Sequence, residues 1–439
     1  MNAQAGSADL ARQVWRKSGL KAQWKNWRLD RVIDEWQALR ERIAAPPESR
    51  RGPATLLFIP PDPLLLVSSR GDEAMICVLL REMRTHFPEA RCYMLTHGSR
   101  ASEVARELNA RPIEVQHLDK LATTLERCLA QGITHCVTIG ADVLDGSYDP
   151  VFSAELLALT DMLARNGVRC AVNGFSFSDK PHEGLARLYD GMSRDVVFNL
   201  RDPVSFQRFQ RFTGARSRLS ADAAFMLEPA ALLDGIADYE PWIADRKASG
   251  RTVLGINLHP LLLELEERER VPEMCAAFVR VLGQLAAIRP LAFVLLEHDF
   301  RGSSSDYHCI DRLEDALRPL LPGLVWRFPR QLRAAEIKRA VGQLDGVVTG
   351  RMHLSIATLG AGAPVFLFDY KAKMEGLLQH FELDRDMRVP ARELFDEPAT
   401  LAALDRFVQK LPLLRAQVRA RLPVIKQLAH SNLDAVLES

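Results

Sequence analysis

Short apolar runs alternate with amphipathic stretches from residue 54 onward. In the first half of the chain, the amphipathic stretches 73–87 and 154–166 have the spacing of helices with one buried face. The apolar runs are short enough for strands and cover residues 55–59, 64–68, 92–96, 113–117, 136–140, 170–173 and 196–200. Strands that alternate with helices are typical of a parallel sheet with helices on both faces.

A second series of the same kind begins after the polar stretch 246–250, which we interpret as a linker. Its apolar runs predict strands at 253–258, 292–297, 325–328, 347–349 and 365–368. Helices are predicted at 272–288, 306–320 and 334–341, followed by two more at 401–411 and 413–437. The sequence therefore predicts an α/β protein with two doubly wound, Rossmann-like domains facing a cleft in which a ligand binds.

Residues 1–50 differ in composition from the rest of the chain. They hold four of the six tryptophans, namely Trp15, Trp24, Trp27 and Trp36. One helical face carries Val32, Ile33, Trp36, Leu39 and Ile43, and the front half of the segment is basic. Two interpretations remain open: a helix packed on the neighbouring domain, or an interfacial helix that binds anionic lipid or a partner. We therefore divide the chain into the helical segment 1–50, α/β domains at 51–246 and 251–400, and C-terminal helices at 401–439.

Composition narrows the class of protein. The 57 basic and 56 acidic residues give a net charge of +1, so we expect no nucleic-acid partner. The seven cysteines are scattered without CxxC spacing, which favours a reducing cytoplasm over a disulfide framework or a zinc site. We see neither a signal peptide nor an apolar run long enough to span a membrane. We expect a cytoplasmic protein, with residues 1–50 as an optional contact to the inner face of the membrane.

The stretch 349–353 reads Thr-Gly-Arg-Met-His, between a predicted strand and a predicted helix. The free N–H groups and the dipole at a helix N-terminus favour an anion. The guanidinium of Arg351 matches phosphate or carboxylate, and His353 can donate a proton near neutral pH. This stretch therefore predicts a site for a phosphorylated or carboxylated ligand.

Two other strand ends carry polar residues that would face the same cleft. Arg201 follows the predicted strand 196–200, where it either binds the ligand or pairs with its neighbour Asp202. Gly71 and Asp72 open a predicted helix, where they either present N–H groups and a carboxylate to a substrate or act as an ordinary helix cap.

The sequence lacks several common motifs of metal-binding, catalytic and nucleotide-binding sites. Glu297, His298 and Asp299, with Asp306 and His308 downstream, superficially resemble a metal cluster, but their spacing fits no closed zinc pattern. The GxSxG elbow, the P-loop and the GxGxxG fingerprint are absent from the sequence. We predict no metal and no cofactor.

The order of these features resembles the polysaccharide pyruvyl transferases. The specific part is 346–353 followed by Ile356-Ala357, Gly362-Ala363-Pro364, Tyr370, Lys373 and Gly376. More diffuse matches are Gly71 to Ala74, Arg201-Asp202 with Ser205, Asp222, and Gly255-Ile256-Asn257. The chain departs from the family pattern at Ser68-Ser69-Arg70, Gly140-Ala141-Asp142 and 173–176.

The resemblance implies a fold like that of the GT-B glycosyltransferases. It also implies transfer of a pyruvyl group from phosphoenolpyruvate to a sugar of a bacterial-type polysaccharide or of its lipid-linked precursor, with a ketal and phosphate as products. The resemblance makes the C-terminal domain the phosphoenolpyruvate side, and the implied site comprises Arg201, Arg351, Met352, His353 and Lys373. The implied acceptor side, in the N-terminal domain, comprises Gly71, Asp72, Asp142 and Asn173. His353 is the candidate acid or phosphate contact, and Asp72 is the candidate base.

Two alternatives remain open. One is a GT-B glycosyltransferase with a nucleotide-sugar donor, although Glu375 and Glu382 lie after the Gly362-Ala363-Pro364 turn instead of beside it. The other is a non-catalytic relative that binds a sugar phosphate, which the departures in the N-terminal half leave open.

Overall fold

The computed structural model describes residues 20–43, 53–115, 120–370 and 374–437. It contains two parallel sheets, of seven and six strands. The first has the order β3-β2-β1-β4-β5-β6-β7 and the second the order β10-β9-β8-β11-β12-β13. The strands of the first sheet are β1 (Thr55–Ile59), β2 (Arg91–Thr96), β3 (Arg111–Glu114), β4 (His135–Ile139), β5 (Arg169–Phe175), β6 (Val197–Leu200) and β7 (Ser217–Leu219). Those of the second are β8 (Thr252–Ile256), β9 (Leu291–Leu295), β10 (Val325–Arg327), β11 (Gly346–Thr349), β12 (Val365–Asp369) and β13 (Arg388–Pro390).

Helices cover both faces of each sheet. In the first half they are α1 (Leu20–Glu41), α2 (Arg70–His86), α3 (Ser99–Glu107), α4 (Leu121–Ala130), α5 (Pro150–Arg165), α6 (Ala186–Gly191) and α7 (Pro203–Phe212). In the second half they are α8 (Tyr239–Ala248), α9 (Val271–Ile288), α10 (Tyr307–Leu320), α11 (Ala334–Gly342), α12 (Met352–Gly360), α13 (Met374–His380), α14 (Glu397–His430) and α15 (Asp434–Leu437).

The central strands are buried over their whole length, as in β1, β4 and β9. This burial explains why their sequences are continuous apolar runs without alternation. The strand order reverses between β1 and β4 in one sheet and between β8 and β11 in the other. Ligands of doubly wound sheets bind outside the carboxyl ends of the strands at such reversals. The predicted fold class, two doubly wound α/β domains, is confirmed.

The predicted strand at 64–68 is wrong. The Asp62 carboxylate accepts hydrogen bonds from the N–H groups of Leu64 and Leu65, both at 3.0 Å. Leu66 then takes a positive φ of 35° while its side chain stays buried. A side chain that bonds its own local backbone competes with a sheet ladder, so this apolar run forms a turn. Conversely, the edge strands β7 and β13 were not predicted, because each has three residues and begins with a polar side chain.

The predicted break between the helices at 401–411 and 413–437 is also wrong. Helix α14 continues through Pro412 and Pro423 to His430. Each proline removes one backbone hydrogen bond, but the buried Phe407, Leu411 and Leu414 on this helix pack into the core, and tertiary packing outweighs that loss.

The polar stretch 246–250 lies at the end of helix α8 and does not separate the two sheets in space. Tyr239 and Ile243 of this helix pack with Val253 and Ala292 of the second sheet. The chain therefore passes from the first sheet to the second ahead of α8, within residues 227–238.

Helix α1 packs on α5 through Leu29, Val32, Ile33 and Trp36, which are all buried. The Trp36 indole Nε1 donates to Asp161 Oδ2 at 2.7 Å. For residues 20–41 the interpretation as a helix packed on the domain is correct.

The helical segment Leu265–Ile288 is apolar and long enough, by length and composition, to cross a membrane. Its α9 part packs as a core helix, with Phe278, Leu282 and other apolar residues buried.

The two halves of the chain touch where α13 meets the start of α7. Gly376 of α13 lies against the Asp202 side chain so closely that a Cβ atom would overlap the carboxylate. Asp202 cannot move away freely, because it caps α7 by accepting from the N–H and hydroxyl of Ser205 at 2.8 Å and 2.6 Å. Glycine is therefore required at position 376 for close approach.

We expect Gly376→Ala to lower the free energy of unfolding by about 1–3 kcal/mol, the usual effect of overpacking. Gly342→Ala is the matched control, because an added Cβ in α11 would meet its nearest atom at 3.6 Å. The control should be neutral or stabilising by up to about 1 kcal/mol, since alanine has the higher helix propensity. Urea unfolding measures both, and equal effects would contradict the proposed overlap.

Candidate active site

The carboxyl ends of both sheets border one cavity of about 560 Å³. Six of the residues predicted from the sequence line it, namely Asp72, Asp142, Arg201, Arg351, Met352 and His353. They come from both halves of the chain and from several different strand ends, so the fold brings together most of the side chains that the strand-end argument selected.

Two helix N-termini meet in this cavity. Helix α2 begins at Arg70, and its cap is Ser69, whose Oγ accepts from the N–H of Gly71 at 3.3 Å. Helix α12 begins at Met352, and among the residues that the structure describes no side chain caps its first turn. Gly71 packs against the His353 imidazole, where any Cβ atom would overlap the ring. Gly71 thus permits close approach of the two helices and does not itself line the cavity.

Arg201, Asp222 and His353 form a buried network across the two halves. The Arg201 Nη1 donates to Asp222 Oδ2 at 2.9 Å, and its Nε donates to Ser176 Oγ at 2.7 Å. His353 Nε2 lies 3.4 Å from both Arg201 Nη1 and Asp222 Oδ2. Although burial opposes it, the neighbouring His353 and Arg201 lower the pKa of Asp222 to about 2. Arg201 is therefore paired with Asp222, and Asp202 serves as the cap of α7 instead.

Arg351 is buried and holds the loop after β9 against the start of α12. Its Nε and Nη2 donate to Asp306 Oδ1 at 2.9 Å and 2.6 Å, and its Nη1 donates to Asp299 Oδ2 at 3.1 Å. A further bond joins Nη2 to the Ser304 carbonyl at 2.5 Å. The guanidinium thus uses four of its five N–H groups inside the protein.

The Asp299 and Asp306 side chains therefore act as arginine partners. Within the described ranges, no group of three or more His, Cys, Asp or Glu residues is placed to hold a metal ion.

Arg301 is a cavity residue that the sequence did not reveal. It forms two-pronged hydrogen bonds with Asp299, and its Nη1 lies 4.0 Å from Asp72 Oδ2. Its side chain is 34% exposed, far more than that of Arg201 or Arg351. Arg301 lies in an irregular loop beyond a strand end, so periodicity could not identify it. In the sequence, the only sign that Arg301 lies at the cavity was its position just after the predicted strand 292–297.

Asp72 is a carboxyl group that titrates near neutral pH. Burial raises its pKa to about 7, although Arg301 and His353 act in the opposite direction. Asp142 adds to the increase through charge repulsion. A buried carboxyl with a pKa near the working pH can take up and release a proton during a reaction.

In the N-terminal half, Asp142 accepts a hydrogen bond from the Tyr148 hydroxyl at 2.9 Å, and both line the cavity. Ala141 has a φ of +45°, the left-handed region that glycine tolerates best, at the place where the family often has a second glycine. This departure therefore keeps the shape of the turn and stores strain in it.

Besides Gly71, the predicted site residue Asn173 does not line the cavity. Asn173 is buried inside β5; its side chain lies against Asn199, with an Nδ2–Oδ1 distance of 3.5 Å. The neighbouring Gly174 N–H donates to Asn432, so the C-terminal segment covers this end of β5. Lys373 lies outside the described residues.

Solved structures with a similar fold include glycosyltransferases and epimerases. UDP-GlcNAc 2-epimerase from Neisseria meningitidis, bound to UDP-GlcNAc, has a TM-score of 0.54 and 8% identity, covering 88% of this chain and 100% of its own. A glycosyltransferase from Rickettsia africae has a TM-score of 0.54 and 11% identity, covering 89% and 100%. The calicheamicin glycosyltransferase has a TM-score of 0.50 and 13% identity, covering 87% and 99%. These likenesses show a shared GT-B-like fold.

No curated protein sequence gives a significant match to the chain. The family model of the polysaccharide pyruvyl transferases matches residues 70–372, which is more than half of the chain. The match includes both helix N-termini and the strand-end residues Arg201, Arg351 and His353. The chain therefore belongs to the polysaccharide pyruvyl transferase family.

Proposed function

We propose that this protein transfers a pyruvyl group from phosphoenolpyruvate to a sugar, forming a ketal and releasing phosphate. The observation that carries the proposal is the meeting of Arg201, His353 and the uncapped N-terminus of α12 in one cavity, opposite the carboxyl of Asp72. These groups supply an anion site, a proton donor and a base within one cavity.

The donor would bind between the two halves. Within the described part of the chain, the Nη2 of Arg201 has no hydrogen-bond partner, so it is available to one anionic end of phosphoenolpyruvate. The N–H of Met352, in the first turn of α12, can serve the other end. Arg301 adds a more exposed positive charge, and Lys373 adds another by its match to the family signature. The buried Arg351 holds the start of α12 in place through its bonds to Asp306 and Asp299.

His353 is suited to deliver the proton. When its Nε2 carries a proton, Asp222 can accept that hydrogen bond; when the proton has left, Nε2 can accept one from Arg201 Nη1. The proton would add to the methylene carbon of phosphoenolpyruvate, which becomes a methyl group and leaves the adjacent carbon cationic. Both protonation states of the imidazole thus have a partner in the same network.

Asp72 would act as the base for the sugar. One hydroxyl attacks the cationic carbon and gives its proton to Asp72. Phosphate then leaves with the electrons of the C–O bond, a second hydroxyl closes the ketal, and its proton leaves with the phosphate. Asp142 and Tyr148, next to Asp72 in the cavity, are placed to bind the acceptor.

We expect Arg201→Gln to weaken phosphoenolpyruvate binding about ten- to a hundred-fold, the value of one charge-assisted hydrogen bond. Isothermal titration calorimetry measures this. The exposed Arg100→Gln is the matched control and should bind like the wild type. Unchanged affinity in Arg201→Gln would remove Arg201 from the donor site.

The same calorimetry separates the alternative functions. Binding of uridine diphosphate in place of phosphoenolpyruvate would indicate a glycosyltransferase. Donor binding without phosphate release for any sugar would indicate a non-catalytic relative.

Arg351→Ala should act mainly on stability. It leaves the fully buried Asp306 without its cationic partner, and breaking a buried pair in this way costs about 3–5 kcal/mol. Urea unfolding measures the loss. A variant that unfolds like the wild type but loses phosphoenolpyruvate binding would instead make Arg351 a direct donor ligand.

The pH dependence should reveal Asp72. Because a base acts when deprotonated, kcat/KM for phosphate release should rise with pH through about 7, the pKa of Asp72 in the folded protein. Asp72→Asn should lower the rate and remove this rise. A rate that falls through the same pH would make Asp72 the acid instead.

A second readout for Asp72 needs no acceptor. Its pKa is raised from 3.8 to about 7 on folding, so the folded state favours the protonated form. Its stabilising contribution is therefore complete below pH 3.8 and is lost as the pH rises toward and above 7. The wild type should lose stability relative to Asp72→Asn across this window in urea unfolding at several pH values.

A further inference from the structure

Asp72 and the proposed donor site lie in one cavity, which brings negative charges close together. The base must be ionised to accept a proton, and phosphoenolpyruvate carries a phosphate and a carboxylate. Like charges repel more strongly in a partly buried site than in water, because the effective dielectric constant is lower. The donor would therefore favour the protonated form of Asp72, and ionised Asp72 would lower the affinity for the donor. A positive charge between the two would offset this repulsion.

Arg301 is the cavity arginine that faces Asp72. Among the described residues, three arginines line the cavity. Two of them, Arg201 and Arg351, are buried and paired with carboxylates other than Asp72. The third, Arg301, has a side chain that is 34% exposed, and its Nη1 lies 4.0 Å from Asp72 Oδ2.

One edge of the Arg301 guanidinium is anchored, and the other faces the cavity. Its Nε and Nη2 donate to Asp299 Oδ1 and Oδ2, at 3.0 Å and 2.6 Å. These two bonds fix the plane of the guanidinium. At 4.0 Å, Nη1 is too far from Asp72 for a hydrogen bond, and within the described ranges it has no other hydrogen-bond partner. An oxygen of an anionic ligand can therefore bind Nη1 beside Asp72 while both bonds to Asp299 remain.

The charged groups that act on Asp72 come from several elements. Burial raises the pKa of Asp72, and Asp142 and Asp62, in the loops after β4 and β1, raise it further. Arg301 lowers this pKa more than any other charged group does, followed by His353. The charge of His353 is lost when it delivers its proton, whereas arginine stays charged throughout. Arg301 is thus the lasting positive charge beside Asp72.

We propose that Arg301 allows the anionic donor and the ionised Asp72 to occupy the cavity together, with its Nη1 bound to one anionic end of the donor and its charge shared with the carboxylate. This inference deepens the proposed function and rests on it for the identity of the donor. Without Arg301, the donor binds best when Asp72 is protonated, and a protonated Asp72 cannot take the proton of the sugar.

The test is calorimetric titration of phosphoenolpyruvate into the wild type, Arg301→Gln, Asp72→Asn and the double variant. Well above the Asp72 pKa of about 7, Arg301→Gln should weaken donor binding about ten- to a hundred-fold, through loss of a charge-assisted hydrogen bond and uncovered repulsion. Adding Asp72→Asn to that variant should restore affinity about tenfold, whereas Asp72→Asn alone should change it less than about threefold. Well below pH 7, Asp72 is neutral, so Asp72→Asn should have no effect in either background.

Equal effects of Asp72→Asn in the wild-type and Arg301→Gln backgrounds would overturn the proposal. Arg280→Gln is the matched control, because Arg280 also donates through Nε and Nη2 to one carboxylate, that of Glu397, but does not line the cavity. It should bind the donor like the wild type and show no coupling to Asp72→Asn. Arg301→Gln should fold, because Asp299 keeps its bond from Arg351 at 3.1 Å. Arg301→Lys, which retains the charge, should recover part of the affinity.

A measurement without ligand separates this inference from the proposed function. Without Arg301 the pKa of Asp72 should rise above about 7. In urea unfolding, the loss of stability relative to the matching Asp72→Asn variant should then continue to higher pH. An unchanged pH window in Arg301→Gln would overturn the inference while leaving phosphoenolpyruvate transfer intact. A shifted window, with no phosphoenolpyruvate binding by the wild type, would refute the proposed transfer while leaving the coupling of Arg301 to Asp72 intact.

Discussion

The contact between the His353 imidazole and Gly71 is the constraint on which the rest of the site depends. It brings the first turns of α2 and α12 together, one from each half of the chain, with no space for a side chain between them. Both helices point their positive N-terminal ends at the same cavity. Nearby, Arg70 reinforces the contact by donating its backbone N–H to the His298 carbonyl at 3.1 Å and its Nε to the Leu332 carbonyl at 2.6 Å. The relative position of the two sides of the cavity is therefore set by close packing and by hydrogen bonds between the halves.

The positive helix ends and the buried arginines lie close together and would repel one another. Carboxylates beside the arginines offset this repulsion. Arg201 is paired with Asp222, and Arg351 is paired with Asp299 and Asp306. Asp72, by contrast, forms only a long ion pair among the described residues: its Oδ2 lies 4.0 Å from Arg301 Nη1. Burial raises the pKa of Asp72. The partners therefore separate two kinds of acid. The pKa values of Asp222 and Asp299 are lowered by the cationic groups beside them, so these two stay ionised, whereas Asp72 can exchange a proton near neutral pH.

The sequence predicted the fold well because the central strands of both sheets are buried on two faces. Their sequences are therefore continuous apolar runs that are easy to recognise. The strand-end argument placed Asp72, Arg201 and His353 in one cavity because parallel strands end at the same edge. Asp142 and Asn173 were selected only by the family resemblance, and Asn173 still lies within β5, where successive side chains alternate between faces. The strand-end argument failed for Arg301 because that loop has no periodic pattern. The turn at 64–68 was missed because the Asp62 side chain, and not the apolar run, determines the local backbone.

A buried arginine with two carboxylates is a poor source of stability by itself, since desolvation cancels much of the attraction. Its value here is geometric. The Arg351 side chain is bonded to Asp299, Asp306 and Ser304 and is therefore not available to cap α12, and no other side chain in the described part of the chain does so. The first N–H groups of α12 therefore remain open to a ligand in a fixed orientation. The Arg351 side chain held on one side of the helix start, together with the open helix end, therefore gives a preorganised anion site that needs little rearrangement when an anion binds.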